Sequence, residues 1–224
     1  MKGDAQPLIK FFDGSDKRFI IPLYQRNYDW KEENCEQLFQ DLMKLHNSNR
    51  RSHFFGSIVS SIQSGTEDRF IIDGQQRITT VSLLLIAMVN AKKEGLIEAT
   101  DAKLVEKIFK RYLVDEYQED ERKVKLKPIK KDMQAFDALL YKQKDQYIKE
   151  SNVTRNYDFF YNLETAKHTV HCHTQCMVML DIFVVPFQYC FTCFHIPEHT
   201  LSAFRSCSLQ PCHEYRSMSF QNYP

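Results

Sequence analysis

Residues 70–80, Phe-Ile-Ile-Asp-Gly-Gln-Gln-Arg-Ile-Thr-Thr, have the residue types of an anion-binding turn. An apolar strand is predicted to run into Asp73 and Gly74, with a helix beginning at Gln75 or Gln76. Gly74 permits a sharp backbone turn that a side chain would obstruct. The first turn of the helix presents unpaired N–H groups and the positive end of the helix dipole, and both favour a bound phosphate.

The side chains of this turn fit the same chemistry. Arg77 supplies a cation suited to bidentate contact with phosphate. Asp73 is a candidate ligand for a magnesium ion, or a group that polarises a water. Gln75 or Gln76 has an amide that can orient an attacking water. An isolated Asp-Gly-X-X-Arg segment is nevertheless more often a helix cap with solvated side chains, so a second element must support the functional interpretation.

That second element is the segment 21–30, Ile-Pro-Leu-Tyr-Gln-Arg-Asn-Tyr-Asp-Trp. Pro22 keeps the preceding residue extended and predicts a strand leading into a loop. Such a loop can stack a planar base or close over a site, and it offers a second guanidinium for a phosphate or carboxylate. The alternative for its aromatic residues is core packing, which we favour for Trp30. The remaining candidate binding residues in the loop are Tyr24, Gln25 and Arg26.

The elements that must position these motifs predict an α+β fold. Residues 53–63 and 69–72 are predicted to form a hairpin around a turn at 64–68. The helix that follows is apolar on nearly all sides over residues 81–89 and is therefore predicted to be central. Further amphipathic patterns predict helices over residues 33–46, 104–113, 132–150 and from 152 onward.

Composition bounds the function only loosely. The chain of 224 residues is long enough for one sizeable core. Its formal net charge of +1 leaves a nucleic-acid surface only as a local patch. The basic stretch 122–131 is either such a patch for DNA phosphates or a solvated surface. The first residues lack the apolar stretch of a signal peptide, and the apolar run 81–89 is too short to cross a bilayer, so we expect a cytoplasmic protein without a membrane partner.

The residue usage changes sharply near residue 167. Residues 1–167 hold 54 of the 59 charged residues but only one of the seven cysteines, whereas residues 168–224 contain no Lys and no Gly. We therefore predict three parts: a nucleotide-binding core at 1–95, a helical extension at 96–167, and an atypical Cys/His-rich tail at 168–224.

Three interpretations of the tail compete. Cys190-Phe-Thr-Cys193 has the C-x-x-C spacing of a zinc knuckle. Zinc binding is nevertheless disfavoured because no pair of knuckles has a regular spacing and no Gly follows either one to make the turn. Disulfides are disfavoured by a cytosolic compartment. A shifted reading frame, which would leave the tail without function and disordered, accounts best for its composition. The candidate zinc ligands are His171, Cys172, His173, Cys176, Cys190, Cys193, Cys207 and Cys212.

Together the two motifs resemble the N-terminal domain of GmrSD-type modification-dependent restriction endonucleases. This is the ParB-like DGQQR family, which also includes the N-terminal NTPase domain of SspE-type phosphorothioate-sensing defence proteins. The resemblance rests on residues 21–30, on Phe-Phe-Gly-Ser-Ile-Val at 54–59 and on residues 70–85. It spans about residues 8–165.

The resemblance implies a ParB/sulfiredoxin-like small mixed sheet with helices, followed by a helical segment. It also implies binding and hydrolysis of a nucleoside triphosphate with Mg²⁺, coupled to cleavage of foreign modified DNA. Carried over by position, the NTPase motif is Asp73, Gln75, Gln76 and Arg77. The facing side of the pocket is Tyr24, Gln25 and Arg26, while Gly74 and Gly56 would let a phosphate approach, with simple packing an equal alternative for Gly56.

Members of this family usually continue into an HNH-type nuclease domain, and no His-Asn-His arrangement is present here. The expected function is thus an NTP-dependent sensor domain of a restriction or phage-defence system, apparently truncated, with a nuclease on a separate domain or subunit. The alternatives are a non-catalytic nucleotide- or DNA-binding module and an inactive remnant.

Overall fold

The computed structural model describes residues 2–15, 17–47, 52–62, 64–97, 103–118, 123–165 and 188–195. The strands are β1 (Lys2–Pro7), β2 (Arg18–Ile20), β3 (Ser52–Ile62), β4 (Asp68–Asp73), β5 (Leu126–Lys127) and β6 (Gln188–His195). The helices are α1 (Leu8–Phe12), α2 (Glu32–Asn47), α3 (Gln75–Lys93), α4 (Leu104–Ile108), α5 (Lys130–Leu140) and α6 (Asn152–Thr165). Helix α4 continues as a short π-helix at Phe109–Leu113, and a 3₁₀ turn lies at Lys144–Gln146.

The strands form one mixed sheet in the order β1-β6-β3-β4-β2-β5. Strand β4 pairs antiparallel with β3 and parallel with β2, and β2 pairs parallel with β5. Strand β6 pairs parallel with β3 and antiparallel with β1. The predicted α+β class with a mixed sheet is confirmed.

The predicted hairpin is strand pair β3–β4. Asp73, the last residue of β4, lies opposite Val59, and the register shifts between Val59 and Ser60. A bulge of this kind bends the strand and redirects nearby side chains. The irregularity thus lies where β4 ends and α3 is about to begin.

Helix α3 is the centre of the molecule, as its sequence predicts. Every residue from Ile78 to Ala91 is buried. Its neighbours include α6, α5, α4 and the π-helix. Because one buried cluster runs from Leu8 through α3 to Phe160, the predicted core at 1–95 and the predicted helical extension share a single hydrophobic core.

The helix predicted over residues 132–150 is shorter in the structure and ends at Leu140. Lys142 adopts a left-handed conformation with φ of 57°. The N–H of Gln143 then donates to the carbonyl of Ala138 at 2.8 Å, which satisfies one of the last helical carbonyls. This termination carries no Gly, so composition did not indicate it.

The tail is represented by strand β6 alone. Its backbone fills the position between β1 and β3. Most of the candidate zinc ligands lie outside the described residues, so the reading-frame interpretation stays a prediction. Within the described ranges, no three His, Cys, Asp or Glu side chains are grouped to hold a metal ion. Nor does any helix of this described part have the length and apolar character needed to span a membrane.

Lys125 departs from the predicted basic surface. Its side chain is buried, and Nζ donates to the carbonyls of Phe12 at 3.3 Å, Gly14 at 2.7 Å and Arg111 at 2.6 Å. Burial lowers the pKa of this ammonium group. Lys125 therefore belongs neither to a DNA-facing patch nor to a solvated surface, whereas Lys123, Lys130 and Lys131 are exposed.

Candidate functional site

The two sequence motifs meet at the start of helix α3. Strand β4 ends at Asp73, Gly74 caps the helix in a left-handed conformation with φ of 93°, and the first helical bond joins Ile78 N–H to the Gly74 carbonyl at 3.1 Å. No side chain in the described part of the chain caps this end. The N–H groups of the first turn therefore have no intrahelical acceptor, and the 19-residue helix adds the positive end of its dipole.

Gly74 is required by both its conformation and its surroundings. A Cβ atom there would lie 3.0 Å from Ile58 Cγ1 and 3.2 Å from the Ser57 carbonyl oxygen. Both atoms belong to strand β3, so the turn is packed against the hairpin. The sharp turn predicted from Asp73-Gly74 is present.

Arg77 reaches back over the hairpin from the first turn of α3. Its guanidinium donates a hydrogen bond to the carbonyl of Ser57. A Cβ on Gly56 would lie 3.0 Å from both Cζ and Nε of Arg77. Gly56 thus makes room for the guanidinium, which supports the packing alternative, while the approach of a phosphate at Gly56 stays a prediction. One of the five N–H donors of the group is used in this contact, and Arg77 remains partly exposed.

Asp73, unlike Arg77, makes no side-chain contact of this kind with the described residues. Its carboxylate is exposed, and it forms no hydrogen bond or ion pair with any described residue. By comparison, Asp68 at the start of the same strand is paired with Arg18 at 2.9 Å. Asp73 is therefore an unengaged carboxylate beside the uncapped helix end.

The two glutamines, between which the sequence could not choose, differ in the structure. The side-chain oxygen of Gln76 accepts from the N–H groups of Asp29 at 2.8 Å and Trp30 at 3.1 Å, and its Nε2 donates to the carbonyl of Asn27 at 3.1 Å. Gln76 thereby holds the loop 21–31. The side chain of Gln75 is buried, with 7% exposed, and forms no hydrogen bond within the described part of the chain.

The loop 21–31 also contacts strand β4 directly. Nε2 of Gln25 donates to the carbonyl of Ile72 at 2.8 Å, one residue before Asp73. Tyr24 and Arg26 are exposed, Tyr24 with 64% of its surface. Trp30 is partly buried against the core, which agrees with the packing interpretation. The three predicted loop residues thus divide into one that anchors the loop and two that face solvent.

Several residues outside the motifs support the loop and were not identified from the sequence. Asp132 at the start of α5 accepts from the N–H of Tyr28 at 2.7 Å, and burial raises the pKa of this carboxyl group. Asn156 of α6 donates to the Tyr28 hydroxyl and to the Trp30 carbonyl, each at 2.8 Å. Buried polar residues on otherwise amphipathic helices were the available signal.

Cys35 lies beside this loop in α2. It is fully buried, and its Sγ atom lies 3.9 Å from the Tyr28 hydroxyl oxygen. Burial raises the pKa of the thiol to about 12, so the reactive thiolate is suppressed. Its burial and its suppressed thiolate are those of a cysteine that packs the core.

A separate cleft of about 350 Å³ lies between the start of α2 and α6. It contains none of the motif residues. Its lining is Glu32, Arg155, Asp158, Phe159, Asn162 and Leu163.

Comparison with known proteins supports the resemblance seen in the two motifs. The model of the GmrSD restriction endonuclease N-terminal domain matches residues 8–204, which include both motifs, all the described helices and strand β6. No curated protein matches the chain. GmrSD proteins are restriction endonucleases, so the match associates the chain with restriction and defence systems. The chain belongs to the GmrSD restriction endonuclease N-terminal domain family.

Proposed function

We propose that the chain binds and hydrolyses a nucleoside triphosphate, as the sensor domain of a modification-dependent restriction or phage-defence system. The observation that carries the proposal is the uncapped N-terminus of α3, with Arg77 beside it and, before it, the carboxylate of Asp73, which pairs with none of the described residues. An anion cradle and a free carboxylate at one turn are the groups that phosphoryl transfer requires. The mixed sheet with a helix leaving a strand end also fits the ParB/sulfiredoxin-like fold expected for the family.

Each residue has a distinct part in this proposal. The first-turn N–H groups and the remaining donors of Arg77 would bind phosphoryl oxygens and offset the charge that develops during transfer. The exposed Arg26 would supply a second guanidinium from the loop. Gln75, whose amide has no described partner, is the better candidate for orienting water, because the amide of Gln76 is engaged by three backbone groups of the loop.

Asp73 fits the needs of a magnesium ion. Mg²⁺ on nucleotides is usually held by one or two carboxylates together with phosphate oxygens and waters. An exposed carboxylate that forms no ion pair with the described residues meets this need. When bound, the ion would neutralise phosphate charge beside the first turn of α3.

The test measures phosphate release by the full chain with Mg²⁺ and each of the four common nucleoside triphosphates. Asp73→Ala and Arg77→Ala are each expected to lower turnover by about 10²–10³-fold, the usual range for removing one preorganised electrostatic group. The matched controls Asp145→Ala and Arg155→Ala remove exposed charges from the 3₁₀ turn and from α6, and they should leave turnover unchanged. Unchanged turnover in both site variants would remove the enzymatic claim.

A binding module without turnover is the second candidate. It is favoured by the engagement of Gln76, which leaves one glutamine for orienting water where the sequence offered two. Calorimetric binding of nucleotide, lost in Arg77→Ala and unaccompanied by phosphate release, would establish this function. Modified DNA and a separate nuclease subunit are the partners that we propose for either case.

A further inference from the structure

A buried chain of hydrogen bonds connects helix α6 to the first turn of α3. Asn156 is 1% exposed, and its Nδ2 donates to the Tyr28 hydroxyl and to the Trp30 carbonyl, each at 2.8 Å. The Tyr28 hydroxyl in turn lies 2.7 Å from Oγ1 of Thr80. Oγ1 of Thr80 is 2.8 Å from the backbone carbonyl of Gln76.

The direction of each bond follows from the groups involved. The Gln76 carbonyl can only accept, so the Thr80 hydroxyl donates its single proton there. The oxygen of Thr80 must then accept from Tyr28, whose own proton is used in that bond. The Tyr28 oxygen is left as the acceptor for Asn156. Each hydrogen bond is therefore donated in the same direction, from Asn156 of α6 through Tyr28 and Thr80 to the carbonyl of Gln76.

The loop 21–31 depends on such contacts because it contains no helix or strand. Its internal backbone bonding includes a turn from Gln25 N–H to the Pro22 carbonyl at 3.0 Å. Side chains from three helices hold its other half: Gln76 from α3, Asp132 from α5 and Asn156 from α6. Of these three, Asn156 contacts both the side chain of Tyr28 and the backbone of Trp30.

We propose that Asn156 is a positioning residue for the nucleotide site, although it lies in the helical extension and outside both motifs. By fixing Tyr28 and Trp30, it holds the loop against the first turn of α3, so that Gln25 keeps its bond to the carbonyl of Ile72, the residue before Asp73. This inference rests on the proposed function for its effect on turnover, while its effect on the loop is independent of nucleotide.

An asparagine is suited to this position because two donors are needed on one nitrogen. Reversing the amide would place its oxygen against the Trp30 carbonyl, with two acceptors facing each other. The Oδ1 atom is buried and has no hydrogen-bond partner among the described residues, a cost that the two Nδ2 bonds offset. Leucine has a similar size and removes both donors.

Asn90 provides a matched control. It is also 1% exposed, and its Nδ2 also donates to a tyrosine hydroxyl, that of Tyr157 at 3.1 Å, and to a carbonyl, that of Leu139 at 3.0 Å. These partners lie on α5 and α6, and none belongs to the loop. Asn90→Leu therefore removes the same pair of bonds at the other end of α3.

The experiment uses Trp30, the only tryptophan of the chain, as the reporter of the loop. Acrylamide quenching of Trp30 fluorescence is measured in the full chain without nucleotide, and phosphate release is measured in parallel. Asn156→Leu is expected to increase quenching and to lower turnover by on the order of 10²-fold, as a displaced site residue does. Asn90→Leu should do neither, although both variants lose two buried bonds. Tyr28→Phe, which breaks the chain while retaining the Trp30 carbonyl contact, should lower turnover by a smaller factor.

Three outcomes would overturn the proposal. The first is quenching in Asn156→Leu equal to that in Asn90→Leu. The second is increased quenching with turnover unchanged, which would make Asn156 a support of the loop alone. The third is absence of turnover in the unmodified chain, which would remove the proposed function together with any positioning role; the quenching comparison would still show whether Asn156 holds the loop.

Discussion

Any residue other than glycine at position 74 would lower stability in two ways, through its backbone conformation and through contact of its Cβ with strand β3. The φ of 93° at Gly74 is disfavoured for a side chain by about 1–2 kcal/mol. A Cβ at this position would also lie only 3.0 Å from Cγ1 of Ile58 and 3.2 Å from the carbonyl oxygen of Ser57. We therefore expect Gly74→Ala to lower the free energy of unfolding by more than the conformational cost alone, measured by urea denaturation.

Gly65 separates the two costs. It has a comparable φ of 79° in the hairpin turn, and a Cβ there would meet nothing within 4 Å. Gly65→Ala should lose only the conformational part, about 1–2 kcal/mol. Equal losses in the two variants would show that the contact with β3 contributes nothing and that the turn has room for a side chain.

At this scale the sequence predicted residue types better than residue roles. The order Asp73, Gly74, Gln75 determines the uncapped turn, because it requires only local backbone preferences. Which glutamine holds the loop depends on the side of α3 against which that loop packs, and no local pattern carries this information. The same limit applies to Asn156, whose partners are 126 and 128 positions away along the chain.

The helices are tied together at the C-terminal end of α3 by a small ionic cluster. The carboxylate of Glu94 lies 2.6 Å from Nζ of Lys142 and 3.2 Å from Nζ of Lys144, and it accepts a hydrogen bond from Tyr161 of α6. The contact with Lys142, followed by that with Tyr161, lowers the pKa of Glu94 to about 2. An unfolded glutamate has a pKa near 4.3.

A lowered carboxyl pKa makes the cluster's contribution to stability pH-dependent. It is fully present above the unfolded pKa, and it is lost as the pH falls from about 4.3 towards about 2. Glu94→Gln should therefore reduce stability at pH 7 and flatten its decline over that interval. The size is about 1 kcal/mol, the upper end for partly exposed pairs. Urea denaturation at pH 7 and pH 3 measures both effects.

Glu36→Gln is the control for this prediction. Glu36 is exposed on α2 and forms no ion pair with the described residues. Its replacement should leave the decline in the free energy of unfolding between pH 7 and pH 3 unchanged. A Glu94→Gln variant with the same pH 7 to pH 3 difference as the unmodified chain would contradict the role given to the cluster.

Elements with strong periodicity were predicted correctly, including α2, the β3–β4 hairpin and α3. The end of α5 was not, because Lys142 adopts a left-handed conformation that lysine composition does not indicate. Helix α1 and strand β1 also escaped prediction, since β1 consists of mainly polar residues that pair with a strand distant in the chain.

The whole molecule depends on a segment whose composition suggested a shifted reading frame. Strand β6 is the described pairing partner of β1 and also covers one edge of β3. A chain ending at residue 167 would leave β1 unpaired and would expose the N–H and carbonyl groups of β3. We expect faster amide hydrogen exchange over Lys2–Pro7 in such a chain and greater aggregation.

The full chain measured under the same conditions is the reference. Unchanged exchange over Lys2–Pro7 after the deletion would contradict the β6 pairing and favour a tail without function. Reading the gene around codon 167 would add independent information, because a frame that restores a Lys- and Glu-rich continuation would support the shifted frame. The sequence could not decide this question, since a strand of eight residues leaves little periodic signal.

Lys125 has one more consequence for the chemistry of the intact chain. Its ammonium is enclosed by carbonyl oxygens of Phe12, Gly14 and Arg111, which belong to segments on both sides of α3 in the sequence. Acylating reagents need an accessible, unprotonated amine, and this one is neither reachable nor free of partners. Covalent labelling at Lys125 would therefore report the opening of the structure in which those segments separate.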